Sequence, residues 1–257
     1  MRVLLTGATG VAGLGALRAL LQDESFTHVT TLTRRRLPSW IELPGGTKAS
    51  SSDGSPTHPR LTALTQPTFA EYSPDIRPVL AQQDSCIWAL GSTSSGKSEE
   101  EYTELTVGYL KSVLDALKEA GVGTKEKPFR FVFVSGNGAD SNEKSMILFA
   151  RVKGKAENML LKFAEQSEGS FKPFILRPAY FFPSHKYPQD ELHQRGGIGR
   201  FGNRYLAPAL FTLLPSGKIE QEDLGRFAAE AAKGTWDGKG PIFENVEMKR
   251  LLREKKF

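Results

Sequence analysis

The stretch Arg2-Val-Leu-Leu-Thr6, Gly7-Ala-Thr9-Gly10-Val11-Ala-Gly13, Leu14-Gly-Ala-Leu-Arg-Ala-Leu-Leu21 decides the fold. Its first part is a short aliphatic run closed by glycine, the signature of a buried strand. The last part repeats apolar residues at three- and four-residue spacing, the signature of a helix. Between them lies a glycine turn that lets backbone N–H groups approach an anion at the positive end of that helix. Glycine costs backbone entropy, so three spaced in this way answer a requirement of the turn. Strand, glycine turn and helix in this order form the context in which such spacing signals a dinucleotide pyrophosphate, with Gly7, Thr9, Gly10, Val11 and Gly13 as the candidate contacts.

Further along, apolar runs at 3–6, 29–33, 86–90, 129–135 and 174–176 alternate with helical stretches at 11–22, 99–120 and 143–165. That alternation predicts an α/β fold, a doubly wound parallel sheet of the Rossmann type covered by helices on both faces. Residues 61–64 are the candidate third strand, after a loop at 44–59 rich in turn formers. A second polar, glycine-rich stretch at 184–204 follows the last confident strand, where a substrate lid is expected. Beyond it, 205–214, 221–233 and 246–255 read as helices and 241–244 as a short strand. The expected organisation is a dinucleotide-binding core over 1–183, with a lid and small C-terminal substrate-binding region over 184–257 packed on the same domain.

The 257 residues carry a net charge of +5. The basic residues gather at Arg34-Arg35-Arg36 and in the C-terminal tail, not along one face, so nucleic acid is not expected as a partner. No apolar run reaches membrane-spanning length and no basic-then-apolar leader precedes the first strand, from which a soluble, cytoplasmic protein is expected, with no membrane partner. The single cysteine, Cys86, sits in an apolar run and reads as a core filler. No metal site is expected. The charged faces of the helices at 99–120 and 143–165 favour a monomer.

In NAD-selective sites a carboxylate at the end of the second strand accepts from the ribose 2′-hydroxyl. Here that strand ends in Thr33-Arg34-Arg35-Arg36. Arginine is always charged and grips phosphate with parallel bonds, so the expected cofactor is NADP(H), with Arg34 first and Arg35 second on the 2′-phosphate.

Two further patterns are set aside. Gly91-Ser-Thr-Ser-Ser-Gly96-Lys97-Ser98 matches a P-loop in letters, but Glu99-Glu100-Glu101 would face the triphosphate at once and no later strand ends in a magnesium-holding aspartate. Gly197-Ile-Gly199-Arg-Phe-Gly202 has no strand leading into it and reads as loop.

The run Phe131-Val-Phe-Val-Ser135 delivers a serine to the carboxyl edge of the sheet, and the next helix holds Phe149-Ala-Arg-Val-Lys153. With the glycine turn, these residues resemble the short-chain dehydrogenase/reductase superfamily, whose catalytic helix carries a tyrosine four residues before a lysine. The likeness is to its atypical Tat-interacting-protein-like branch. It is carried by Leu90-Gly91-Ser92-Thr93 with Gly96-Lys97, Ser135 with Gly138-Ala-Asp140, Val152-Lys153-Gly154 with Glu157, and Leu176-Arg177-Pro178-Ala179, and it spans residues 1–183. The resemblance implies that Leu90, Gly91 and Ser92 lie along the cofactor, Lys153 contacts the nicotinamide ribose, and Pro178, Ala179 and Tyr180 pass near the nicotinamide.

The chain departs from that pattern at Phe149. Residues four apart share a helix face, so Phe149 stands over Lys153 where the family's hydroxyl would exchange a proton with the substrate oxygen. A positioned acid is worth roughly 10²–10⁴-fold, about 3–5 kcal/mol of barrier. Tyr180 is the first candidate for a replacement donor; Tyr109, Tyr187, His185 and His193 are weaker ones. Ser135 is expected to hold a substrate oxygen. The leading expectation is an NADP(H)-binding oxidoreductase acting on a small organic molecule and slow on simple ketones. Its rivals are a non-catalytic NADP(H)-sensing protein that controls a partner, and a redox-neutral, isomerase-type enzyme using the same pocket.

Overall fold

The computed structural model describes residues 1–45, 54–194 and 217–255. Its strands are β1 (Arg2–Thr6), β2 (His28–Thr33), β3 (Leu61–Thr65), β4 (Ser85–Trp88), β5 (Phe129–Val134), β6 (Phe171–Arg177), β7 (Tyr180–Phe181), β8 (Lys218–Ile219) and β9 (Ile242–Glu244). Seven of them make one sheet in the order β3-β2-β1-β4-β5-β6-β9, every pairing parallel. β7 and β8 pair in a separate two-stranded ribbon. The sheet is the expected doubly wound one. Its strand order reverses between β1 and β4, and at that reversal a crevice opens beyond the carboxyl ends.

The strands are apolar throughout because both faces are covered, and alternate side chains enter different cores. Val3 and Leu5 of β1, Val132 of β5, and Phe174 and Leu176 of β6 pack with α1 (Val11–Gln22), a helix at Gln221–Lys233 and a last helix at Asn245–Glu254. Leu4, Phe131, Phe133 and Ile175 point the other way, onto α2 (Arg77–Ala81), α4 (Tyr109–Glu119) and α5 (Leu148–Gln166). A short α3 (Glu99–Thr103) precedes α4, and α6 (Pro188–Gln194) lies outside both layers; the two C-terminal helices are α7 and α8. The residues from 217 onward therefore return to the core and supply strand β9. α1 and α7 cross so closely that a Cβ on Gly15 would come 2.6 Å from Gln221 O, and one on Gly225 2.3 Å from Gly15 O.

Several sequence expectations shift at their edges. The stretch 99–120 is helical throughout, but α3 and α4 are joined by a π turn at Glu104–Gly108. The helix expected at 143–165 starts at Leu148, because the Asp140 carboxylate accepts the N–H groups of Asn142, Lys144 and Ser145 and Glu143 turns to φ 60°. The strand expected at 174–176 begins earlier, at Phe171, and includes Pro173. Ile175 N donates toward the β9 side, to Pro241 O, so the nitrogen two residues earlier faces the same side before β9 pairing starts, where no N–H is needed. Within the expected lid, 188–194 is helix rather than loop. Residues 195–204 of that stretch, with the Gly197–Gly202 pattern, and the expected helix at 205–214 lie outside the described residues.

Candidate dinucleotide and substrate site

The turn after β1 is built by close approach. Gly7 has φ +69° and a Cβ there would lie 2.2 Å from Ala89 O; one on Gly13 would lie 2.1 Å from Gly7 O. These two glycines are required by the turn itself and by its contact with the end of β4. Gly10 is different: its Cβ position meets only Gly7 O at 3.4 Å, and it opens onto both cavities described below. Gly10 also begins α1 with no side-chain cap and no acidic residue in the first turn. The first N–H groups of a helix left this way favour an anion.

One cavity, of about 400 Å³, runs from this turn to the end of β2. It is lined by Gly7, Thr9, Gly10, Thr33, the arginines 34–36, Pro38 and the stretch Ala89, Leu90, Gly91. The Thr33 hydroxyl donates to Arg35 O at 2.6 Å and fixes the turn that presents the arginines. None of the lining residues is acidic. A second cavity, of about 760 Å³, shares Gly10, Ala89, Leu90 and Gly91 with the first and continues past Val11, Ser92, Ser135, Phe149 and Lys153 to Pro178, Ala179 and Tyr180. Together they form one trough across the carboxyl edge of the sheet. Apart from the four weaker proton-donor candidates, every sequence-predicted site residue except Gly13 lines it; Gly13 stays behind the turn.

At the far end of the trough α5 presents Phe149 and, one turn on, Lys153. A Cβ on Gly136 would come 2.6 Å from Phe149 Cζ, so the atom that carries the hydroxyl in a tyrosine stands beside the backbone next to Ser135. Lys153 is 6% exposed. Its Nζ donates to Val134 O at 3.1 Å and lies 4.8 Å from the centre of the Phe133 ring. Burial pulls its pKa down to about 8, against the opposing pull of the Glu157 charge. The expected role of Ser135 meets a complication. Its hydroxyl donates to Glu157 Oε1 at 2.5 Å, so toward the trough it offers acceptor lone pairs.

Glu157 is fully buried, and its carboxylate also takes Arg177 Nη2 at 2.5 Å and Nε at 3.1 Å. Arg177 continues to Glu244 at 2.9 Å and Ser141 at 2.9 Å, and Glu157, through its hydrogen bonds, holds its pKa well above the ordinary guanidinium value. Sequence spacing put Glu157 one turn beyond Lys153 without giving it work; only the fold brings Ser135 and Arg177 to it. Asn245 was missed altogether. It accepts from Ala179 N at 3.0 Å and donates to Lys218 O at 3.2 Å, tying the β6–β7 loop to α8.

The remaining proton-donor candidates separate cleanly. Tyr180 lines the trough but is 43% exposed, its ring leaning on Phe182 at 4.7 Å. Tyr109 packs against Phe69, Tyr187 lies under the Arg18 guanidinium, His193 stacks on Trp40, and His185 is exposed; none of the four lines the trough. Arg18 itself is held by Asp190 at 2.5 and 2.9 Å and by Glu42 O at 3.0 Å, so α6 is fastened to α1, and Gln194 at its end donates to Thr9 O at 3.2 Å. The P-loop letters are used otherwise: the Ser98 hydroxyl caps α3 and Lys97 pairs with Glu101 at 3.7 Å. Cys86 is fully buried and burial pushes its thiol pKa far up. Among the described residues no group of three or more His, Cys, Asp or Glu is placed to hold a metal, and no helix is long and apolar enough to cross a membrane.

No family model matches the chain. It is 32% identical over 137 residues to botcinic acid biosynthesis cluster B protein 16 of Botryotinia fuckeliana, covering 86% of that protein and 48% of this chain. It is 25% identical to the protein named FMP52, mitochondrial, of Debaryomyces hansenii, over 98% of this chain and 96% of that one. Among solved structures, the Pseudomonas aeruginosa RhlG/NADP active-site complex superposes with TM-score 0.65 at 15% identity, covering 95% and 93% of the two chains. A short chain dehydrogenase of Burkholderia cenocepacia in complex with NADP does so with TM-score 0.60 at 14% identity, covering 99% and 93%. The cytoplasmic expectation is corrected by the relatives: six that align over 91–98% of this chain are named mitochondrial. Charge and the lack of long apolar runs report compatibility with water, which several compartments share.

Proposed function

We propose that this chain is a member of the short-chain dehydrogenase/reductase superfamily and an NADP(H)-binding oxidoreductase acting on a small organic carbonyl or alcohol. The reading places it beside the atypical, Tat-interacting-protein-like members, as a monomer. The observation that carries it is the continuous trough from Arg34–Arg36, past the uncapped start of α1, to Phe149, Lys153 and Ala179. Gly10 open to the cavities, a helix start without a side-chain cap and three arginines without a carboxylate fit a dinucleotide bearing an extra phosphate. The superposing complexes, with NADP in some and NAD in others, support a nicotinamide dinucleotide, and the arginines argue for NADP(H).

In this reading Gly7, Thr9, Gly10 and Val11 surround the pyrophosphate with backbone donors and Gly13 keeps the turn tight. Arg34 and Arg35 grip the 2′-phosphate; Leu90, Gly91 and Ser92 run along the cofactor; Lys153 holds the nicotinamide ribose; and Pro178 and Ala179 flank the nicotinamide. When bound, NADPH supplies a hydride. Ser135 accepts a hydrogen bond from the hydroxyl of an alcohol substrate, and Tyr180 forms part of the mouth through which substrate enters. Calorimetry tests the assignment: NADPH binds more tightly than NADH, and Arg34→Ala removes most of that difference. Equal weakening of both cofactors counts against it.

A non-catalytic NADP(H)-sensing protein is the second reading, favoured by the phenylalanine at 149. Its mark is cofactor binding without turnover of any carbonyl or alcohol. For location, the relatives' names support mitochondria. Recovery of the tagged full-length chain from cytosolic rather than mitochondrial fractions would overturn that part.

A further inference from the structure

We propose that Lys153 is itself the proton donor of the reduction, doing at Nζ what the family's tyrosine does one helical turn earlier. The inference rests on the oxidoreductase reading above and supplies the group that reading lacks.

Three features of the trough lead to it. Phe149 brings an aromatic ring and no exchangeable proton to the position above Lys153. The Ser135 hydroxyl proton is directed at the buried Glu157 carboxylate, and that carboxylate is in turn held by Arg177, so Ser135 presents an acceptor to a substrate rather than an acid. Lys153 lines the same cavity, and among the described residues its one hydrogen bond goes to Val134 O. An ammonium has three donors, so two remain for the cavity: one for a ribose hydroxyl and one for the reacting oxygen. Tyr180, the other candidate, is 43% exposed at the mouth, on β7 beyond β6.

The electrostatics agree. Burial disfavours the ammonium, while Glu157 on its own helix and the face of the Phe133 ring, 4.8 Å from Nζ, favour it; Arg177, from β6, takes up much of the Glu157 charge. Tyr180 is the remaining titratable group lining the cavity. A pKa of about 8 leaves Lys153 mostly protonated at neutral pH yet ready to release, which is the condition for an effective acid. In the step itself the carbonyl carbon gains the hydride, the C=O π pair moves to oxygen, and that oxygen takes a proton from Nζ to give the alcohol. The neutral amine left behind regains its proton from water.

The test has a binding arm, a titration arm and a turnover arm. In ¹³C-lysine NMR of the wild-type chain, one lysine resonance, absent from Lys153→Arg, titrates with a midpoint near 8; a midpoint in the ordinary lysine range near 10.4 overturns the proposal whatever the activity. Reduction of 4-nitrobenzaldehyde by NADPH falls as pH rises through the same value. Lys153→Arg, which keeps the charge but does not release a proton, still binds NADPH by calorimetry and, at saturating NADPH, loses about 10²-fold or more in kcat. The double variant Phe149→Tyr/Lys153→Arg regains turnover, with its alkaline limb moved upward.

Turnover by Lys153→Arg equal to wild type, with NADPH bound, overturns the inference alone. Bound NADPH with no turnover in the wild type overturns it in favour of the sensing reading. Failure of the wild type to bind NADPH overturns the oxidoreductase reading and the inference with it. If Lys153→Arg does not fold, the wild-type titration and pH profile still decide.

Discussion

At Phe149 one missing oxygen atom separates the chain from the tyrosine chemistry of the short-chain dehydrogenase/reductases that it resembles. The ring keeps the pocket's shape, with Cζ against the Gly136 backbone, while the proton has to come from elsewhere. Restoring the hydroxyl by Phe149→Tyr is therefore expected to raise kcat on electron-poor aldehydes by about tenfold, less than the roughly 10²–10⁴-fold that separates a positioned acid from none, because Lys153 already serves. Steady-state kinetics at pH 7 checks this, and a gain above about 10³-fold would mean that the wild type has no working donor. Ser135 carries a related lesson. The strand-end serine was legible from its run of apolar neighbours. The direction of its hydroxyl was not, because Glu157 lies 22 residues away and meets Ser135 only when α5 packs on β5.

Among the elements, α1 and α7 show how a sequence can hide a close contact. Both helices were legible from apolar spacing, and α7 begins and ends where that spacing predicts. That they touch through Gly15 and Gly225 was not, since a glycine within a helix reads only as a weak spot until its partner is known. Gly225→Ala sets a methyl 2.3 Å from Gly15 O, so the helices must separate. The variant is expected to lose about 1–3 kcal/mol in urea unfolding, although alanine is the better helix former. A midpoint at or above wild type would show that the crossing has slack. The opening of α5 teaches the reverse: 143–147 looked helical, but the Asp140 carboxylate offered those N–H groups a competing set of bonds.

Over the whole molecule, ion pairs tie segments far apart in sequence. Asp237 accepts from Arg130 of β5 at 2.9 and 2.7 Å and from Lys172 of β6 at 3.2 Å, and the Arg130 bonds hold its pKa below the ordinary aspartate value. Burial raises the Asp84 carboxyl, but bonds from Lys127 and the Arg2 N–H outweigh it, and its pKa is lowered too. A carboxylate whose folded pKa is depressed adds stability above its unfolded pKa, near 3.9, and loses it as pH falls through the folded value. The urea midpoint is therefore expected to be flat with respect to these groups above about pH 5 and to fall below about pH 4, less steeply in Asp237→Asn than in wild type. A pH-independent midpoint from 5 to 3 would remove these pairs from the account.

The sequence by itself determined the doubly wound sheet, the glycine turn after β1, the arginines at the end of β2 and the phenylalanine above Lys153. Each of these is written in residues close together along the chain, as apolar period, glycine spacing or helical phase. The tertiary structure alone decided that Ser135 gives its proton to Glu157, that Arg177 steadies that carboxylate, that Asn245 holds the Ala179 loop and that Asp190 fastens α6 to Arg18. Those partners lie 20 to 172 residues apart. A buried charge must find its counterpart wherever the fold brings one within reach, and local pattern carries no record of that distance.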